Sequence, residues 1–182
     1  MNPTATLYMT NGAKITIELL PEYAPNTVNS FIYAASHKVF DQHPIERIVP
    51  GNWIDMSYTG FRKAEGQYLI PYESNLHPEI SPLDSDVGCV CMGGYGELGQ
   101  AGCEFFFPLR ACPEHKGLYP VFGKVISGLD EILRLEHIPT RPVEDFPIPG
   151  IEVNTPVTPE IIDHVELNLH GVSYPDPIRI NE

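Results

Sequence analysis

The chain has 182 residues, with 24 Asp and Glu against 11 Lys and Arg and a formal net charge of −13. So acidic a surface repels phosphate backbones, and the expectation is no nucleic-acid partner. A 42% hydrophobic content with 15 glycines and 19 prolines describes one turn-rich globular domain, not a disordered chain.

No apolar run reaches membrane-spanning length, and Met1-Asn2-Pro3-Thr4 shows no basic region leading into an apolar core. The expected setting is therefore the cytoplasm, with no membrane partner and a soluble monomer. Ala5 to Met9 reads as a strand, Asn11-Gly12 as a tight turn, and Lys14 to Leu19 as a second strand with Ile15, Ile17 and Leu19 on its core face. Pro21 and Pro25 lead into a helix that Asn26 or an earlier residue caps. Its apolar stripe is Val28, Phe31, Ile32, Ala35 and Val39.

Ile45 to Val49 alternates as a strand, broken by Pro50-Gly51, before Trp53-Ile54 resumes an apolar run. Arg47 shares a strand face with Ile45 and Val49. A guanidinium keeps its charge everywhere, so burying it is costly unless its donors are used. On spacing alone, Arg47 is an edge residue whose stem lies on the sheet and whose head reaches water. Residues 57–86 are polar and turn-rich and read as a long surface excursion.

A buried strand resumes at Gly88 to Met92, and the five glycines between Gly93 and Gly102 mark a loop with special backbone angles. They lack the Gly-Lys-Ser/Thr ending of a phosphate loop. Glu104 to Leu109 is an aromatic strand, Val121 to Val125 another, and Leu129, Ile132, Leu133 and Leu135 mark a second helix. Residues 138–163 form an irregular acidic region, read as a surface loop, before a final strand at His164 to Leu169; the tail beyond Gly171 is irregular.

Cys89, Cys91, Cys103 and Cys112 lack the paired spacing of a zinc site and read as reduced, buried thiols, with a Cys103–Cys112 disulfide as the alternative that a cytosolic setting disfavours; no metal and no cofactor is assigned. His115 lies in a loop and is expected to face solvent. No Gly-x-Ser-x-Gly, His-Glu-x-x-His or EF-hand loop is present, and no two carboxylates stand out as a hydrolytic pair.

Arg47-Ile48-Val49-Pro50-Gly51 resembles the strand-and-turn signature of the cyclophilin-type peptidyl-prolyl isomerases. Glu104-Phe105-Phe106 is similar to that family's Gln-Phe-Phe segment, and Val121-Phe122-Gly123-Lys124-Val125 to its Val-Phe-Gly-Lys-Val strand. Pro25 to Phe31 is similar to the first helix of the family, and Gly88 to Met92 to its central strand. The matches fall in the right order over residues 5–135. The resemblance implies an all-β fold, an eight-stranded antiparallel cyclophilin-like barrel capped by two α-helices, forming a single domain over 1–182.

It also implies cofactor-independent isomerisation of X-Pro bonds, with proline-containing peptide segments or client proteins as partners. Arg47 falls on the catalytic arginine, Phe106 beneath the substrate proline and Met92 beside the cleft. Glu104 and Asp55 replace glutamines, Ile45 and Asn52 replace pocket phenylalanines, and Tyr119 takes the place of the pocket histidine. No aromatic stands where the tryptophan of the preceding loop would be, so weak cyclosporin sensitivity is expected. Carboxylates beside Arg47 either preorganise its guanidinium or occupy its donors. The implied activity is accordingly a divergent isomerase or, alternatively, a catalytically weak or inactive peptide-binding module.

Overall fold

The computed structural model describes residues 1–73, 83–95, 98–145 and 147–180. Strands β1 (Thr4–Met9) and β2 (Lys14–Leu19) form the first hairpin, with Leu7 opposite Ile15 and Ala5 opposite Ile17. Residues two apart on a strand face the same way, so Ala5, Leu7, Ile15, Ile17 and Leu19 all reach the core with no exposed surface. Helix α1 (Pro25–Ser36) follows, with its proline in the first turn, where a missing N–H costs nothing.

No side chain caps α1 at Ala24; instead Glu73 accepts the Thr27 N–H. Asn26 has a different task from the cap expected of it. Its amide donates to the Ile178 carbonyl at 3.0 Å and accepts from the Ile178 N–H at 2.7 Å, which ties the irregular tail across the helix. Arg179 then lies over the rings of Tyr33 and Tyr68, and Ile180 N–H donates to Leu69 at 2.9 Å.

The remaining elements are β3 (His43–Pro44), β4 (Arg47–Val49), β5 (Trp53–Asp55), β6 (Ile70–Pro71), β7 (Cys89–Tyr95), β8 (Gln100–Pro108) and β9 (Val121–Ser127). After them come α2 (Leu129–Glu136), β10 (Thr140–Pro142), β11 (Asn154–Pro156) and β12 (Ile161–Asn168). Among the described residues the strands form one antiparallel sheet of 12 in the order β10-β11-β4-β5-β8-β7-β9-β2-β1-β12-β3, with β6 on β8. This corrects the expected eight-stranded barrel in both number and closure: the path has two ends, β10 and β3, which do not pair with each other.

The extra strands have a common physical origin. β3, β6, β10 and β11 are two or three residues long and each contains a proline, so they are too short to carry a period-2 pattern. The region expected to be a surface loop at 138–163 contains the β10–β11 hairpin. It adds to the sheet through Asn154 opposite Ile48 on β4, and the Asn154 side chain donates to the Ile48 carbonyl at 3.0 Å. Four stretches read from the sequence fall partly outside the described residues: 74–82 of the excursion, 96–97 of the glycine-rich segment, 146 of the acidic region and 181–182 of the tail.

Of the described part of the glycine-rich segment, 98–99 are turn, and 93–95 and 100–102 are strand, not loop. Gly94 permits it, since at φ +143° an added Cβ would lie 2.7 Å from Ala101 Cα across the β7–β8 pair. Among the described residues, no helix is long and apolar enough to cross a membrane.

The core fills the inner face of the sheet beneath α1. Phe31 of α1 stands at its centre, with ring centroids 5.2 Å from Phe40, 5.2 Å from Phe105 and 5.4 Å from Phe122. Its packing is complete, at 0% exposure. Phe31→Ala is therefore expected to cost about 3–5 kcal/mol, from lost transfer energy and the cavity left behind. A fall in the urea midpoint at unchanged slope checks this.

Candidate active site

The ladder places the chemistry. Arg47 on β4 stands opposite Asp55 on β5, Asp55 opposite Phe106 on β8, Phe106 opposite Cys91 on β7, and Cys91 opposite Val121 on β9. Directly opposed residues share a face, so Arg47, Asp55, Phe106, Cys91 and Val121 form one row across the outer face of the sheet. Glu104 and Trp53, each two residues from a member of that row, join the same face. The intervening residues Ile48, Ile54, Phe105 and Phe107 point inward to the core. The tight turn that aligns Arg47 with Asp55 relies on Gly51 at φ +76°.

Arg47 is not the water-facing edge residue that spacing alone suggests. Its Nη1 donates to Asp55 Oδ2 at 2.6 Å and its Nε to the Glu152 carbonyl at 2.8 Å. Its side chain is 14% exposed and that of Asp55 5%. Its Cζ lies 5.7 Å from the Trp53 ring and 5.4 Å from the Tyr58 ring. Glu152, just before β11, reaches Arg47 only because the β10–β11 hairpin pairs with β4. Two of the five N–H donors of the guanidinium are thus committed.

The two carboxylates differ in environment from Arg47 and from each other. Burial pushes the Asp55 carboxyl above its ordinary value, and the Arg47 charge and hydrogen bond oppose the shift. Glu104 is half-buried and is pushed up to about 8, first by burial and then by the Asp55 charge, with Arg47 opposing. The trio therefore holds Asp55 against Arg47 and keeps Glu104 largely protonated at neutral pH. Glu104 also lines a cavity of about 420 Å³ with Tyr58, Tyr68, Cys103 and Ile180 among its walls. Tyr58 and Glu104 belong to both the cavity and the surroundings of Arg47, so the two spaces adjoin.

A sign follows for stability. Between about pH 4.5 and about 8 the folded protein retains a Glu104 proton that the unfolded chain has released. Stability then falls as pH rises through that window, and the raised Asp55 acts in the same direction. Glu104→Gln is expected to flatten the fall, read as a smaller difference between urea midpoints at about pH 5 and about pH 8.

Beside the charged trio lies an aromatic cluster. Phe106, 4% exposed, packs with Cys91 and Val121, and Trp53 and Tyr119 lie against them. The ring of Tyr119 is 5.8 Å from Phe106. His115 closes the group, at 5.5 Å from Phe106, 5.3 Å from Trp53 and 4.8 Å from Tyr119. It is 6% exposed, against the expectation of a solvent-facing loop residue. The 3-10 turn Pro113–His115 rolls its ring inward.

Asn52 borders the cluster at the β4–β5 turn, where its Oδ1 accepts from Arg110 Nε at 2.8 Å. Arg47, Asp55, Glu104, Phe106, Tyr119 and Asn52 thus come together around one surface. Met92 and Ile45 do not. Met92 stands opposite Phe105 with 0% exposure, and Ile45 is 2% exposed in the same core. Strand parity explains Met92, which follows the outward Cys91 and must point inward. Sequence reading missed Glu152, Tyr58 and His115. The Cys-Pro-Glu-His turn gave the only signal for His115, and nothing marked Glu152.

The four cysteines are free, with Cys91, Cys103 and Cys112 buried and Cys89 partly so. Burial pushes the Cys91 and Cys103 thiols up, as befits inert packing groups.

Comparison with known proteins bears on this arrangement. The family model for "Cyclophilin type peptidyl-prolyl cis-trans isomerase/CLD" matches residues 5–155. Peptidyl-prolyl cis-trans isomerase B of Bacillus subtilis is 32% identical over 127 residues, 70% of this chain and 86% of that protein. Peptidyl-prolyl cis-trans isomerase-like 2 of Cryptococcus neoformans is 30% identical over 148 residues, 79% of this chain; the match spans only 25% of that longer protein.

A crystal structure of a Cryptosporidium parvum cyclophilin type peptidyl-prolyl cis-trans isomerase superposes with a TM-score of 0.71 at 20% identity. The match covers 92% of this chain and 98% of that one, and shows the shared fold. A second structure of that protein, in the presence of the dipeptide Ala-Pro, gives a TM-score of 0.70. With a family model spanning most of its length and a cross-strand row joining Arg47 to Phe106, the chain belongs to the cyclophilin-type peptidyl-prolyl cis-trans isomerase family.

Proposed function

We propose that the chain is a peptidyl-prolyl cis-trans isomerase acting on X-Pro bonds in peptides and folding proteins. The observation that carries this reading is the single outer row, which puts a largely buried guanidinium beside an aromatic floor at Phe106. Rotation about an X-Pro bond faces a barrier of about 18–20 kcal/mol from amide double-bond character. It breaks no covalent bond and needs no general acid or base.

The requirement is a group that interacts better with the twisted amide than with either planar form. When the bond twists, the prolyl nitrogen lone pair localises and becomes an acceptor. Arg47, held by Asp55 and Glu152, is positioned to donate to it while the proline ring rests on Phe106 between Trp53, His115 and Tyr119. Low local dielectric strengthens that donation, and a preorganised donor does not reorganise during the reaction. Protonated Glu104 can donate to a substrate carbonyl, the part an amide would otherwise play.

A second reading is a weak or inactive peptide-binding module. Two observations favour it: Asp55 and Glu152 already engage Arg47, and Phe106 is only 4% exposed. Exchange spectroscopy on an Ala-Pro-containing tetrapeptide separates the two. Accelerated cis–trans exchange at catalytic protein concentration supports the isomerase. Binding-induced shifts without acceleration assign the module, and the absence of both sinks the site.

A further inference from the structure

Among the described residues, one cluster of donor side chains borders the proline pocket, to which only the ring face of His115 belongs. Cys112 Sγ, a Glu114 carboxylate oxygen and a His115 ring nitrogen all lie within 4.8 Å of one another. They come from one short turn: the His115 N–H donates to the Cys112 carbonyl at 3.0 Å, a 3-10 arrangement that brings side chains three residues apart onto one side. A second observation points to a ligand. His115 is 6% exposed and its Nδ1 has no hydrogen-bond partner among the described residues, whereas buried ring nitrogens are ordinarily satisfied.

We propose that Cys112, Glu114 and His115 form a binding site for a divalent zinc-type cation, seated against the wall of the aromatic cluster. A mixed sulfur, nitrogen and carboxylate set suits zinc and disfavours magnesium or calcium, which take oxygen alone. Three protein donors leave a fourth tetrahedral position for water. Zinc at about 2.0–2.3 Å from each donor sets them about 3.5 Å apart, so they close by about 1 Å, a side-chain adjustment.

As the sulfur–metal bond forms, the Cys112 thiol proton leaves to solvent. Glu114 must loosen its ion pair with Arg110, now at 2.5 Å. Both partners are well exposed, so the exchange is with a solvent-screened contact. An ion bound through Nδ1 would satisfy that unpartnered nitrogen and fix the turn against Phe106 and Trp53. Its effect on the proline pocket, though not the site itself, rests on the isomerase reading.

Cobalt and the chain's single tryptophan provide the test. Titration of the purified protein with Co²⁺ is expected to give a thiolate-to-cobalt charge-transfer band that saturates at one equivalent. Trp53 fluorescence should change in step, and Zn²⁺ should bleach the band. Cys112→Ser should abolish the band and Cys89→Ser should leave it. Glu114→Gln, at an exposed position that does not threaten folding, should weaken binding at least tenfold. No band, a band that survives Cys112→Ser, or Glu114→Gln binding as tightly as wild type would overturn the site. Because none of these readouts uses activity, a protein that binds cobalt but does not accelerate prolyl exchange would refute the isomerase alone.

Discussion

Arg47→Ala is expected to lower kcat/KM on a proline tetrapeptide by about 10²–10³-fold, the loss typical when one preorganised donor is removed from a charge-developing transition state. By the tenfold-per-1.36 kcal/mol relation this is about 3–4 kcal/mol of transition-state stabilisation. The loss should fall mainly on kcat. The proline ring is held by Phe106 and its aromatic neighbours, which the substitution leaves in place, whereas donation to the pyramidalising nitrogen disappears. Arg47→Lys should recover only a small part: an ammonium keeps the charge but cannot bridge Asp55 and the Glu152 carbonyl while presenting further donors in a fixed fork. Folding of both variants is checked by circular dichroism before rates are compared.

Asp55→Ala should carry the largest stability cost among the site residues, about 3–5 kcal/mol, because it leaves a guanidinium with 14% side-chain exposure without its carboxylate. The cost is not simply the loss of one hydrogen bond. Arg47 sits between β4 and the β10–β11 hairpin, and what remains to it is a hydrogen bond to the neutral Glu152 carbonyl and the rings of Trp53 and Tyr58. Glu104, whose carboxyl Arg47 already influences, is the replacement on the same face.

Removing the Asp55 charge removes one cause of the raised Glu104 pKa, so Glu104 should ionise at lower pH and partly compensate. The double variant Asp55→Ala/Glu104→Gln should therefore be less stable than the sum of its parts. Urea unfolding at about pH 7 measures both. A single-variant cost below about 1 kcal/mol would place the pair with ordinary solvent-screened surface bridges instead.

How much of this could be read from the chain depended on side-chain periodicity. Ile15, Ile17 and Leu19 alternate and lie in the core as expected, and Val28, Phe31, Ile32 and Ala35 form the buried stripe of α1. Arg47, Asp55, Glu104 and Phe106 were legible as a group through a family resemblance, and cross-strand register joins them. The same resemblance groups Met92 and Ile45 with them, whereas strand parity and core packing bury both in the core. The β10–β11 hairpin was not legible at all. Proline-rich three-residue strands are specified by backbone partners, and the partner here, Ile48 of β4, is distant in sequence. Closure of the sheet failed for a related reason: extra short strands extend its path to ends that no hydrophobic pattern announces.

The central claim is that Arg47 acts on a proline held over Phe106, and that it acts on the twisted amide more than on the bound ground state. The most direct test is the cis–trans exchange rate of a proline tetrapeptide while bound, measured by NMR line shape at equal saturation of wild type and Arg47→Ala. The account predicts exchange slower by about 10²-fold or more in the variant, with peptide affinity changed far less. Equal bound-state exchange rates in the two proteins would contradict it.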